Sequence, residues 1–490
     1  MPPTFHIENF GCRAARADGE AIASLLRASG AADSQPVDAD VVIVNTCSVT
    51  AEADREARAY IRRVHRLQPA ARIIATGCYA QHAPNELANI PGVSAVIGNS
   101  HKALAPEIAL RFAEASDLPP YKHNGLIQIQ AAQAGVAPPQ VVLADDTFAH
   151  SFLEEASIAP GAQTRPNLKI QEGCSNRCSF CVIPQTRGNS RSLPAETVLS
   201  HVRNFVSAGG NELVLSGINL GRWGRDIDPA QSPIRTFAAL VRNIVEQTDL
   251  PRLRMSSIEP MDWDAALIAL MSEYGGTKLA RHAHLPLQSG SDSVLRRMYR
   301  RYRPWHYAEK VDALLRAAGP ALTLGADVMV GFPGETDRQF QETCDFIRSL
   351  PFGYLHLFPF SPRPSTRAWT LHAESPVPAS VVNERMATLR ALTAEKTRTH
   401  RKQFIGAELD AITLHTPPNL AYANRTSALT ENFLPLELSA TLPANQLIHV
   451  RVTAIAADNT LLASPALSIT SDSQFNLLPT LSDPILETAF

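Results

Sequence analysis

The chain has 490 residues, 45% of them apolar, with a formal net charge of −2. That length suits about three domains with buried cores, which excludes disorder as the state of most of the chain. The balanced charge gives no bulk signal for nucleic acid, so any RNA contact has to come from local patches.

The N-terminus lacks a basic segment followed by an apolar run, so no secretory signal is expected. No apolar run approaches the roughly 18 residues that span a bilayer. A soluble, cytoplasmic protein with no membrane partner is the expectation. Seven cysteines in a chain of this size do not read as a disulfide framework. Clustered cysteines here point to metal binding or thiol chemistry.

Residues 1–113 read as a first unit. Short strands are expected at 5–8, 40–45, 72–76 and 95–97, the middle two being continuous apolar runs of the kind buried in parallel sheets. Helical periodicity covers 18–27 and 51–67. The alternation predicts a small open parallel sheet with helices on both faces. Cys12, Cys47 and Cys78 each follow one of these strands. In an open parallel sheet the carboxyl ends lie along one edge, where ligands bind, so three distant cysteines would converge there. The plain alternative is three small buried core thiols. Residues 114–160, with Pro119-Pro120 and Pro138-Pro139, read as a linker to which no chemistry is assigned.

Residues 161–395 carry six strand–helix repeats, with strands expected at 168–171, 212–215, 253–256, 282–285, 322–329 and 354–358. This order predicts a (βα)6 partial barrel of the triose-isomerase type, whose active site occupies the carboxyl-end loops. Cys174, Cys178 and Cys181 lie in the first such loop. Three thiolates at C-x3-C-x2-C spacing can wrap one soft metal centre, leaving a fourth coordination position open for chemistry. A zinc site with a ligand from elsewhere is the alternative, but no histidine lies at ligand spacing in this loop. The other expected rim residues are Gly217, Asn219, Glu259, Gln288, Ser289, Gly331 and Gly334; each has the ordinary turn or strand-end role as its alternative. Cys344 sits four residues after Phe340 on an expected amphipathic helix and reads as a core thiol.

Residues 396–470 show short strands at 405–414, 421–424, 434–439 and 448–454, as in a small β-barrel of oligonucleotide-binding type. Residues 471–490 read as a tail. Arginines cluster at 296–303, and basic residues recur at Arg385, Arg390, Lys396, Arg398, Arg401 and Lys402. A solvated helix face is the usual meaning of such runs. The second run precedes the β unit and is the better candidate for phosphate contacts.

The cysteine loop, with Phe180 before its last cysteine, resembles the radical S-adenosylmethionine superfamily. Gly11-Cys12, Asn45-Thr46-Cys47-Ser48-Val49-Thr50, Gly77-Cys78, the stretch from His284 to Ser291 and the stretch from Val330 to Glu335 resemble the methylthiotransferases within it. Ile183-Pro184 with Arg187-Gly188-Asn189-Ser190-Arg191-Ser192, Gly217-Ile218-Asn219-Leu220-Gly221, and Ser256-Ser257-Ile258-Glu259-Pro260 resemble the branch acting on N6-threonylcarbamoyladenosine at tRNA position 37. Sister branches act on isopentenyladenosine in tRNA or on a ribosomal-protein aspartate.

The resemblance implies two 4Fe-4S clusters, one on Cys174, Cys178 and Cys181 that generates a 5′-deoxyadenosyl radical from S-adenosylmethionine, one on Cys12, Cys47 and Cys78 that carries sulfur. It also implies hydrogen removal from C2 of adenine, sulfur insertion there, and methylation by a second S-adenosylmethionine. Implied partners are tRNA and a reduced flavodoxin- or ferredoxin-type electron donor, with a monomer as the working unit. The seven rim residues would line the cofactor, and the C-terminal unit would be the family's RNA-binding TRAM-like barrel. One departure is visible: the family's Asn three residues after the first cysteine is Ala15 here. A zinc-stabilised RNA-binding protein without catalysis is the rival from a different class.

Overall fold

The computed structural model describes residues 2–48, 50–114, 141–148, 163–230 and 232–466. The expected tail, and most of the expected linker, lie outside the described residues.

The chain begins with β1 (Thr4–Asn9), α1 (Arg13–Ala28), β2 (Ala32–Asp33), β3 (Val41–Thr46), α2 (Ala51–Leu67), β4 (Arg72–Gly77), α3 (Cys78–His82), α4 (Pro84–Ala88), β5 (Val93–Gly98) and α5 (Ala105–Glu114). With β6 (Val141–Leu143) these strands make one parallel sheet in the order β2-β1-β3-β4-β5-β6. Every side chain of β3 is buried, as a strand covered on both faces requires. Helix α2 starts where the sequence places it: Thr50 Oγ1 accepts the Ala53 amide, acidic Glu52 and Asp54 occupy the first turn, and His65 and Arg66 the last. The 114–160 expectation is corrected at one point. Val141–Leu143 is a strand, extending the first sheet beside β5; three residues just after a proline pair gave too short a pattern to read.

The central unit holds β7 (Asn167–Glu172), α6 (Ile183–Arg187), β8 (Arg191–Ser192), α7 (Ala195–Ser207), β9 (Glu212–Gly217), α8 (Phe237–Gln247), β10 (Arg252–Met255), α9 (Ala265–Tyr274), β11 (His282–His284), α10 (Asp292–Arg297), α11 (Pro304–Ala318), β12 (Thr323–Val330), α12 (Asp337–Ser349) and β13 (Phe352–Pro359). The parallel run β7-β9-β10 joins β11-β12-β13 through the parallel bridge Ser257↔His284, giving six barrel strands. Apolar residues from all six and from the helices around them form one core. Cys344 is 1% exposed in α12 within that core, where burial pushes its thiol pKa up.

After α13 (Arg367–Glu374) and α14 (Ala379–Lys402) come β14 (Glu408–Thr413), α15 (Pro418–Tyr422), β15 (Thr426–Thr430), β16 (Pro435–Leu438), β17 (Leu447–Ile455) and β18 (Leu461–Pro465), closed as β14-β15-β16-β18-β17. The strand expected at 421–424 is instead the end of α15 and a turn; Pro417 and Pro418 start a helix there, since proline fits a first helical turn. Among the described residues no helix is long and apolar enough to cross a membrane.

Buried charge fastens the first sheet to the barrel. Asp18 of α1 takes Lys102, Lys169 of β7 and Arg187 of α6; Glu172 takes Lys169 and Arg187, the latter at 2.7 Å. Burial opposes the charge on both acids, yet Lys102, Lys169 and Arg187 hold Asp18 far below, and Arg187 and Lys169 hold Glu172 at about 2, relative to ordinary carboxyl values. A buried pair broken on one side leaves an uncompensated charge costing about 3–5 kcal/mol. Asp18→Ala should therefore lower the urea midpoint of the full chain sharply. Cys344→Ala should cost only about 1 kcal/mol, with iron content intact; a well-folded but inactive Cys344→Ala protein would exclude the core-thiol assignment.

Candidate active site: two cysteine triplets at a domain junction

The first triplet stands along the carboxyl edge of the N-terminal sheet. Cys12 is the N-cap of α1, Cys47 directly follows β3, and Cys78 opens α3 directly after β4. Register aligns the last two, since Thr46 pairs with Gly77. Gly11, at φ +99°, draws the Cys12 loop onto Cys47: a Cβ at Gly11 would fall 2.3 Å from the Cys47 sulfur. A Cβ at Gly77 would fall 2.3 Å from the Thr46 carbonyl oxygen. Both close approaches require glycine.

Ala15, the departure from the family pattern, is 1% exposed. Its carbonyl accepts from Asn45 Nδ2 at 2.5 Å, while Asn45 Oδ1 is buried with no partner among the described residues.

The second triplet lies in the loop between β7 and α6, at the carboxyl end of the first barrel strand. It lines an open cavity of about 440 Å³ together with Arg177, Tyr299 and Arg367. Burial, and then Cys178, pushes the Cys181 thiol up to about 12. Thiolates packed this closely oppose one another's ionisation, and a bound cationic centre removes that penalty.

Donors aim at the sulfurs. Cys174 Sγ accepts from the Asn176 amide at 3.4 Å and Asn219 Nδ2 at 3.6 Å. Cys178 Sγ accepts from Arg300 Nη1 at 3.3 Å. Across the junction Cys78 Sγ accepts from Arg187 Nε at 3.1 Å and Asn99 Nδ2 at 3.4 Å. Burial works against the charge of Arg187, but Cys78, Glu172, Asp18 and Cys12 outweigh it and hold it firmly protonated. Two sets of three thiolates with N–H donors on their sulfurs suit anionic iron–sulfur centres, whose properties such hydrogen bonds tune.

The expected rim residues divide. Asn219 and Glu259 stand near the second triplet, Asn219 by its bond to Cys174 and Glu259 through Arg300 at 2.5 Å, while Gly217 packs against Gln171, whose Oε1 accepts the Asn219 amide at 2.6 Å. Gln288, at φ +63°, continues the ladder with β12 by donating to the Asp327 carbonyl at 2.7 Å. Ser289 is fully buried against α12, meeting the Thr343 hydroxyl at 3.1 Å. Gly331 and Gly334 make the turn before α12: a Cβ on Gly331 would meet Val382 of α14 at 2.6 Å, and the Gly334 amide donates to the Ser375 carbonyl.

The two basic clusters are largely spent internally. Arg300 serves Cys178 and Glu259, Arg301 pairs with Asp262, and Arg303 with Asp292. Arg385 is buried against Glu335 and Asp337, and Arg398 and Arg401 reach Asn459 of the C-terminal barrel. Arg390 and Lys402 remain exposed.

Sequence reasoning missed Arg187 as a ligand partner and Tyr299, Thr366 and Arg367 as cavity walls. Tyr299 at φ +57° and the proline-rich turn after β13 were the available signals. Inside the barrel His284, Asp327 and His356 bring their ligand atoms within 4.8 Å of one another. Burial opposes the Asp327 charge, but hydrogen bonds from His284 and His356 hold its carboxyl far below the usual range.

Residues 4–98 match the uncharacterized protein family UPF0004, and residues 168–347 match the radical SAM superfamily. The threonylcarbamoyladenosine tRNA methylthiotransferase of Bacillus subtilis is 34% identical over 89% of this chain and 91% of its own length. That of Aquifex aeolicus is 32% identical over 84% and 91%. The tRNA-2-methylthio-N6-dimethylallyladenosine synthase of Erythrobacter litoralis is 34% identical over 80% and 82%. The radical S-adenosylmethionine methyltransferase TsrM of Kitasatospora setae, a structure with cobalamin and a 4Fe-4S cluster bound, shares the fold, with a TM-score of 0.50 and 15% identity over 76% of this chain and 78% of that one. The cysteine triplets, the partial barrel and this likeness over most of the chain together make it a member of the radical S-adenosylmethionine tRNA methylthiotransferase family, an enzyme family that works with S-adenosylmethionine and 4Fe-4S clusters.

Proposed function

We propose that the protein converts N6-threonylcarbamoyladenosine at tRNA position 37 to its 2-methylthio derivative. The observation that carries the reading is the junction itself. Two cysteine triplets from separate units are tied by Arg187, which leaves the second triplet's loop and donates to Cys78 of the first. Such a junction suits a reaction that needs a radical and a sulfur at one carbon. The substrate follows from the branch motifs at 187–192, 217–221 and 256–260 and from the names of five relatives 29–34% identical to the chain.

Cys174, Cys178 and Cys181 hold the radical-generating cluster, and Cys12, Cys47 and Cys78 hold the sulfur-bearing one. When bound, these groups and S-adenosylmethionine supply the radical, the sulfur and the methyl group. The chain supplies position and field. Asn219 and Arg300 donate to sulfurs of the first site and Arg187 and Asn99 to the second. Gly217, Asn219 and Glu259 face the cofactor, with Gln288, Ser289, Gly331 and Gly334 shaping the turns behind it. A reduced flavodoxin- or ferredoxin-type donor supplies the electron, and a single chain in the cytoplasm is the working unit. The units run 1–113, 161–395 and 396–470, the last being the TRAM-like RNA-binding barrel.

Nucleoside mass analysis of tRNA from a deletion strain tests the substrate. The 2-methylthio form should vanish while N6-threonylcarbamoyladenosine accumulates; loss of a methylthiolated dimethylallyladenosine instead would refute the reading. Replacing Cys174, Cys178 and Cys181 together by Ala should leave iron on the other three, and complete iron loss with the fold intact would argue against two independent sites. Cys178→Ala should abolish reductive cleavage of S-adenosylmethionine. Cys47→Ala should still release 5′-deoxyadenosine yet make no methylthiolated base. Normal methylthiolation by Cys47→Ala would remove the sulfur role from its site.

A further inference from the structure

Among the described residues, the barrel interior below the cysteine loops holds more positive charge than its carboxylates neutralise. Glu212, the first residue of β9, is fully buried and serves three guanidiniums: Arg254 at 2.8 Å, Arg165 at 3.4 Å and Arg252 at 3.4 Å. Arg254 Nη2 also donates to the Thr430 carbonyl at 3.2 Å, but its Nη1 is buried with no partner among the described residues. A further guanidinium, Arg13, enters the same space. It lies 5.5 Å from the Phe433 ring, and Arg254 lies 5.3 Å from that ring.

Arg13 has no hydrogen bond or ion pair among the described residues. Asp327 is within its electrostatic reach, but that carboxylate is engaged by His284 at 3.2 Å and His356 at 3.3 Å. Around these cations stand an aromatic and polar wall. The His282 ring lies 4.3 Å from Phe433, tilted by 30°, and meets the Tyr354 hydroxyl at 2.8 Å, and its Nδ1 is buried with no partner among the described residues. Charge enclosed by protein is ordinarily paired. Here the Arg13 guanidinium, Arg254 Nη1 and His282 Nδ1 lie around the Phe433 ring with no hydrogen-bond partner among the described residues.

Arg13 is the first residue of α1 and the chain neighbour of Cys12. Adjacent Cα atoms are about 3.8 Å apart, so the Arg13 backbone borders the first triplet while its guanidinium extends to Phe433, and on the substrate reading above the reacting carbon of the base comes to that triplet. On adenine, C2 is separated from the N6-bearing carbon only by N1. A group on N6 therefore extends along the edge that presents C2. A threonylcarbamoyl group ends in a carboxylate, and a dimethylallyl group carries no charge.

We infer that Arg13, backed by Arg254, forms a carboxylate subsite that receives the N6 substituent and selects carboxylate-bearing adenosine over its uncharged counterpart. The planar fork of Arg13 matches a carboxylate bidentately. Phe433, delivered by the turn between β15 and β16, couples this subsite to the C-terminal barrel. The inference rests on the substrate reading above and names the residue through which that substrate would be chosen.

The test compares two anticodon stem-loop RNAs, one with N6-threonylcarbamoyladenosine at position 37, the other with its carboxamide. Binding to the iron-loaded enzyme is followed anaerobically by fluorescence anisotropy. Wild type should prefer the carboxylate by about 10- to 100-fold, the size of one charge-assisted hydrogen bond to a carboxylate. In Arg13→Gln that ratio should fall to near one, affinity for the carboxamide RNA and iron per chain staying as in wild type. Arg13→Lys should retain part of the ratio. Arg13→Met, keeping the aliphatic stem, is the second truncation and should collapse the ratio as well.

A ratio near one in wild type, or one that survives in Arg13→Gln or Arg13→Met, overturns the subsite. So does iron loss in either truncation, which would assign Arg13 to the cluster at Cys12. A wild-type enzyme that methylthiolates dimethylallyl- but not threonylcarbamoyl-adenosine overturns the substrate reading itself. Carboxylate selectivity that survives both truncations overturns the subsite alone.

Discussion

The buried ion network of Asp18, Lys102, Lys169, Glu172 and Arg187 is the constraint on which the rest depends. Three cations face two carboxylates, so one positive charge is left for something else. The geometry assigns it to Arg187, whose Nε donates to Cys78. Fastening the first sheet to the barrel and facing one cysteine triplet toward the other are thereby a single act. Separating the units would expose five charges adapted to a dry interface.

The same logic runs through the rest of the junction. Arg363 pairs with Asp54 of α2 at 2.5 Å, and Ser361 Oγ accepts the Ala51 amide at 3.0 Å. On the far side, Arg281 holds Glu431, and Asn211 donates to the Asn445 carbonyl at 2.7 Å. The C-terminal barrel is thus tied into the floor of the central one, and Phe433 carries that connection into the charged interior. Arginines that the sequence presents as a run are divided by the fold among cluster ligands, acids and carbonyls, which is why counting them says little about RNA.

Local patterns made most of the architecture legible. Helix α2 and helix α12 begin and end where their caps and charges place them; α12 has a capping box between Thr336 and Gln339. The barrel strands alternate with helices in the order the sequence shows, and each cysteine of the two triplets lies in the segment that follows a strand. What failed locally was short or irregular. Strand β6 has three residues, and α15 is a five-residue helix started by proline in a segment otherwise patterned as strands. Elements that brief carry too little periodicity to outweigh their neighbours.

By itself the sequence determined the family: two cysteine triplets on two units of parallel-sheet type, with their flanking motifs in the order of one enzyme family. Those features depend on residue identity and near-neighbour spacing, which a linear string records. Tertiary structure decided which charges meet. That Arg187 reaches Cys78 across 109 positions, that Ser289 turns into α12 while Asn219 turns to Cys174, and that Arg13 enters the barrel with no carboxylate paired to it among the described residues depend on packing. Side-chain direction and charge pairing arise from contacts distant in sequence, and no local pattern encodes them.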